Sequence, residues 1–150
     1  MIRNERQYRI TKAEAEKFRK VLAEMRASAG QQGHLHPRLA QAERDGLQSQ
    51  LDDLLQEIDE YEKLRDGRVS VLRLQSFNEL PTGLIRARIA SGLSQKALAL
   101  RLGLSEQQIQ RYEAEDYASA SFTRLSDIAN ALGVNIREEI ELAQRIPNRD

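Results

Sequence analysis

The chain has 150 residues, enough for one ordinary domain or for a small domain with an extension. Its 23 basic and 23 acidic side chains cancel, so no global basic field draws it to nucleic acid, and the absence of cysteine excludes disulfides, thiol catalysis and cysteine-based zinc sites. No run approaches the ~18 apolar residues of a membrane span and the N-terminus lacks a signal-peptide core, so no membrane partner is expected and the expected compartment is cytoplasmic. Division does not uncover a basic half: residues 1–78 carry 14 basic and 13 acidic groups, and residues 79–150 carry 9 and 10. Tight DNA binding by a monomer is therefore disfavoured, whereas a dimer with a locally basic face would be compatible with this balance.

Residues 1–10 (MIRNERQYRI) are polar and basic and are expected to be partly ordered at best. Thr11 and Glu14 have capping-box spacing and predict a helix to about Arg26, with Ala15, Phe18, Val21, Leu22 and Met25 on one narrow stripe. So narrow a stripe needs a partner. Residues 28–36 (SAGQQGHLH) read as a linker, after which Pro37 suits the first turn of a long helix that Gly67 stops. Leu47, Leu51, Leu54, Ile58 and Tyr61 are spaced four, three, four and three apart, a heptad seam flanked by Glu57, Asp59 and Glu62 and widened by Leu55 and Leu64. Two arrangements satisfy it, a helical hairpin with the preceding helix or a coiled coil between two chains, and both can hold at once. Residues 1–66 are thus predicted to be a helical extension for dimerisation or partner binding.

Residues 67–78 read as a strand-like connector, because VSVLRL at 69–74 is β-branched and aliphatic. A lone strand needs a partner for its backbone groups, and IREEIEL at 136–142 offers one, within a chain or between chains. A helical ending for this tail is the alternative. Asn78, Leu80 and Pro81 then lead into a third region, residues 79–150, with Leu84, Ala87 and Arg88 facing its core.

The densest signal lies at residues 92–113 (GLSQKALALRLGLSEQQIQRYE). Ser94 reads as an N-cap, Leu98, Ala99 and Leu102 recur at helical spacing, and Gly103 can take the positive φ that ends a short helix. Ser105 caps a second helix in which Ile109 and Tyr112 face inward while Glu106, Gln107, Gln108, Gln110 and Arg111 stay outside. Gln and Arg side chains can pair bidentately with adenine and guanine edges in a major groove.

This spacing resembles the helix-turn-helix of the lambda-repressor-like (Cro/XRE) family over about residues 80–134. SFTRLSDIANALGV at 121–134 matches its closing helix and Leu-Gly-Val ending. The resemblance implies that an inward Arg88 pairs with Glu113 at the end of the recognition helix. It also implies base contacts from Glu106, Gln107 and Arg111, with Gln110 at the edge, and phosphate contacts from Gln95, Lys96 and Gln108. Where the family often has Asn-Gly, this chain has Ala114, Glu115, Asp116 and Tyr117. Ile85 and Ile89 fall on a side that the family normally leaves solvated, which predicts a covering by the extension or by a second subunit; Leu100 is similarly placed.

His34 and His36 form the chain's one H-x-H, set in a Gly/Gln linker, and read as surface residues without a metal. The acidic run from Asp52 to Glu62 reads as a solvated helix face. No Ser/His/Asp arrangement, glycine-rich phosphate loop or HExxH motif appears, so neither an enzyme activity nor a cofactor is expected. The expected fold is mainly α: a five-helix-type lambda-repressor-like domain preceded by a long-helix hairpin or coiled coil, with one small two-stranded β pairing as an option. The expected function is a repressor-like transcriptional regulator that binds an inverted-repeat operator in double-stranded DNA as a homodimer. The layout also resembles that of HigA-like antitoxins, for which the partner would be a toxin protein. The rival reading is an interaction module whose extension binds a protein and whose helix-turn-helix is vestigial.

Overall fold

The computed structural model describes residues 1–28 and 37–142. Both histidines and nearly all of the 28–36 linker lie outside the described residues. The described chain is helical: α1 (Glu5–Ser28), α2 (Pro37–Arg65), a 3-10 turn (Phe77–Glu79), α3 (Leu80–Ala90), α4 (Gln95–Leu102), α5 (Glu106–Ala114) and α6 (Phe122–Leu132).

α1 starts well before Thr11, which corrects the expectation for residues 1–10. Asn4 Oδ1 accepts from the Gln7 amide at 2.9 Å, and Gln7 Oε1 accepts from the Arg3 amide at 2.8 Å. Asn4-x-x-Gln7 thus carries the capping logic that the sequence reading placed at Thr11 and Glu14. Ile2 and Tyr8 are buried, so the early start extends the apolar stripe. α2 ends where Gly67 takes a φ of +69°.

α1 and α2 form an antiparallel hairpin. Its open end is fixed by the Met1 ammonium on Glu57 at 2.8 Å and by Tyr8 stacked on Tyr61 with centroids 5.2 Å apart. Leu51, Ile58, Tyr61 and Leu64 are buried on α2, and Ile2, Tyr8, Ala15 and Leu22 on the α1 segment; Leu47 and Leu54 are half-buried beside them. Within the chain the buried seam residues thus share one apolar cluster with α1. Each large aliphatic side chain buried there contributes about 1.5–3 kcal/mol relative to leaving it exposed.

Residues 69–74 do not form a strand, and no β pairing occurs among the described residues. Leu72 and Leu74 pack sideways onto the core instead, Leu74 so closely that a Cβ at Gly83 would lie 3.1 Å from its Cδ2. The tail through Leu142 has no regular structure either, and Ile140 and Leu142 are exposed. Hydrophobic burial against α3 thus replaces the ladder that the alternation suggested.

α3 to α6 pack around Leu84, Ile85, Leu98, Ile109 and Ile128. α2 lies against α3, Arg86 pairs with Glu60, and Ile85 and Ile89 are buried. The isoleucine pair is therefore covered by the chain's own extension. Leu100 stays 82% exposed. No helix among the described residues is long and apolar enough to cross a membrane.

Candidate nucleic-acid interface

The pair α4–α5 is assembled by local chemistry. Ser94 Oγ accepts from the Ala97 amide at 3.0 Å and opens α4, and Gly103, at φ +65°, closes it. Ser105 then forms a full capping box with Gln108: its Oγ accepts from the Gln108 amide at 3.2 Å, and Gln108 Oε1 accepts from the Ser105 amide at 3.0 Å. Leu98, Ala99 and Ile109 bury the inner faces, so the outer face of α5 is held rigidly toward solvent.

On that face Gln107 and Arg111 are exposed and have no hydrogen-bond or ionic partner among the described residues. Glu106 accepts from Gln110 Nε2 at 3.2 Å, one turn apart. Lys96 is exposed at the start of α4. Gln108 is exposed too, but its carbonyl oxygen is committed to the capping box. Gln95 departs from the outward placement expected for a phosphate contact. It is only 7% exposed, its Nε2 donates to Glu113 Oε2 at 2.8 Å, and its Oε1 accepts from Asn4 Nδ2 at 3.3 Å. A buried carboxylate needs donors, and the Gln95 amide supplies one.

Behind α5, Arg88 and Glu113 are both buried and bonded twice, Nε to Oε1 at 2.5 Å and Nη2 to Oε2 at 2.8 Å. Arg88 also donates from Nη1 to the Leu93 carbonyl at 2.7 Å and from Nη2 to the Arg3 carbonyl at 2.6 Å. Arg3 in turn pairs with Asp116 at 2.8 Å. The first residues of the chain therefore join the start of α4 to the end of α5.

The segment after α5 takes the left-handed conformation without glycine, at Asp116 (φ 48°) and Tyr117 (φ 57°). Such geometry disfavours side chains and persists when the surroundings enforce it. Here the Tyr117 ring is 2% exposed and stacks on Tyr112 with centroids 5.9 Å apart, while Arg3 holds Asp116. The Tyr117 hydroxyl is buried and has no hydrogen-bond partner among the described residues. Burial pushes its pKa well above the ordinary value, the Glu113 carboxylate adds to the shift, and Arg88 opposes it. Neither Arg3 nor Tyr117 was among the sequence-derived candidates; Asn4 alone carried a readable signal, its spacing to Gln7.

Among the described residues no cluster of three or more His, Cys, Asp or Glu side chains could hold a metal ion. Chemically, the surface offers amide forks and a guanidinium on a rigid helix, which suits hydrogen-bonded recognition. The model of the family described as helix-turn-helix matches residues 84–138, from within α3 through α6. No curated protein and no solved structure matches the chain. The matched family is one of DNA-binding domains and not of enzymes. Residues 84–138 are thus a helix-turn-helix domain of the Cro/C1 type, in the XRE family.

Proposed function

We propose that the protein is a sequence-specific, repressor-like transcriptional regulator that reads an inverted-repeat operator as a homodimer. The observation that carries this reading is the outer face of α5, where Gln107 and Arg111 stand exposed with no partner among the described residues, while Ile109 and Glu113 anchor the opposite face. Gln107 suits the N6/N7 edge of adenine, Arg111 the O6/N7 edge of guanine, and Glu106 the amino group of cytosine. Lys96 is placed to meet phosphate. Equal numbers of acidic and basic residues leave little nonspecific attraction, so affinity must come from base contacts multiplied over two subunits.

The test is to incubate the full chain with random-sequence duplex DNA and to sequence what it retains. The expected product is an inverted repeat with half-sites about 34 Å, one helical turn, apart or a multiple of that. A retained pool indistinguishable from the input would defeat this reading in favour of the interaction module.

A further inference from the structure

We propose that the first turns of α1 belong to the DNA-contact surface, with Arg6 holding the phosphate backbone that borders the groove read by α5. This inference rests on the DNA-binding reading above. A cleft of about 800 Å³ lies between the start of α1 and α5, with Arg6, Gln7 and Ile10 on one wall and Glu106, Gln110 and Ala114 on the other. The latter three are successive i, i+4 positions and mark a single edge of α5.

A helix about 10–12 Å in diameter fills a major groove about 12 Å wide, so the backbone strands bordering the groove must run along its two edges. The strand beside the Glu106–Gln110–Ala114 edge therefore passes through this cleft and meets α1. The other charges lining it are already engaged. Arg88 is bound to Glu113, Arg3 to Asp116, and Arg65 to Asp66 with Glu5 alongside, while Glu106 accepts from Gln110. Arg6 is exposed and, among the described residues, has no hydrogen bond or ion pair. Its position is nonetheless defined, because the adjoining Arg3 carbonyl is held by Arg88 and Asn4 by Gln95. Gln95, on the same cleft, is turned inward onto Glu113, so Arg6 is the cation this cleft offers to solvent.

The experiment titrates the full chain and its Arg6→Ala and Arg6→Glu variants against two duplexes, the one retained in the selection and a scrambled version, at several salt concentrations. For Arg6→Ala the plot of log affinity against log salt should become shallower by about 0.9 per bound chain, with a loss of roughly threefold per chain on both duplexes alike. Arg6→Glu should lose more. The thermal midpoint of Arg6→Ala should stay at the wild-type value, since among the described residues Arg6 has no partner to lose.

Unchanged slope and affinity would overturn the proposal. So would tighter binding by either variant, which would mean that the extension obstructs DNA, or a loss confined to the selected duplex, which would make Arg6 a base reader. If Arg111→Ala loses discrimination while Arg6→Ala changes nothing, the proposal alone falls. If the wild type prefers no duplex, the functional reading falls with it.

Discussion

Arg111 and Lys96 are both exposed cations, yet their side chains suit different tasks. A planar guanidinium on the outer face of α5 can read a guanine edge bidentately, whereas a single ammonium at the start of α4 attracts any phosphate. Arg111→Ala should cost about 1–3 kcal/mol on the selected operator and relax preference at one base pair. Lys96→Ala should weaken selected and scrambled duplexes equally and lower the salt slope by about one contact per subunit. Titrations of both variants at several salt concentrations separate the two; equal losses for Arg111→Ala on both duplexes would make it a phosphate contact. Glu113 belongs to another class, because it is fully buried and satisfies Arg88 and Gln95 together. Glu113→Ala should cost about 3–5 kcal/mol in urea unfolding, since it strands a buried guanidinium. Tyr117→Phe should gain about 1 kcal/mol near neutral pH by removing a buried hydroxyl that has no partner among the described residues. The raised Tyr117 pKa means that the folded state keeps its proton when the unfolded chain has released it. The associated stability is complete below about pH 10 and is lost as pH rises beyond it. Unfolding of wild type and Tyr117→Phe at pH 9 to 11 should therefore show the steeper loss in the wild type.

At the scale of elements, the α1–α2 hairpin and the α4–α5 pair are stabilised in different ways. The hairpin depends on long-range burial, with Leu51, Ile58 and Tyr61 packed into one apolar cluster with Tyr8, Ala15 and Leu22. Leu51→Ala should cost about 2–5 kcal/mol in stability. Because this seam closes within one chain, sedimentation of the folded variant should show the wild-type oligomeric state. A shift to a smaller species would place the seam between subunits. The α4–α5 pair depends on short-range bonds, two serine caps and one left-handed glycine, each decided by its neighbours in the chain. This is why the helix-turn-helix was legible at nearly every position, while the partner of the heptad seam was not. Four-three spacing specifies an apolar stripe, but a stripe is satisfied equally by an intramolecular or an intermolecular helix.

In the whole molecule, the extension completes the core of the helix-turn-helix domain. α2 lies against α3, where Ile85 and Ile89 are buried, Arg86 pairs with Glu60, and the Arg3 carbonyl and Asn4 amide satisfy Arg88 and Gln95. The isolated fragment 78–150 would uncover two isoleucines and remove two partly buried hydrogen bonds. It should unfold at lower temperature than the full chain and associate more readily, as read by calorimetry and light scattering. A monomeric fragment as stable as the full chain would mean that the extension contributes nothing to the domain's core. The same contacts form a bridge between the hairpin and the helix-turn-helix, reaching the start of α4 through Asn4 and the end of α5 through Arg3.

What the sequence by itself determined is what short-range chemistry controls. Ser94, Gly103 and Ser105 specify caps and a turn; apolar periodicity specifies which faces of α3 to α6 turn inward; and the Arg88–Glu113 pairing follows from the family spacing. Three features were decided only by tertiary structure. Residues 69–74 have the alternation of a strand, but with no ladder partner among the described residues Leu72 and Leu74 are partly buried against the core instead. Residues 1–4 look like a polar terminus, yet Ile2 is buried in the core and the Asn4 side-chain amide reaches Gln95 at the start of α4. Gln95 has the position of a phosphate contact, but its rotamer answers to a carboxylate 18 residues away and to an amide 91 residues away. No local window contains those partners. The energy that turns Gln95 inward is the cost of leaving Glu113 buried and under-bonded, and that cost exists only once the chain has folded.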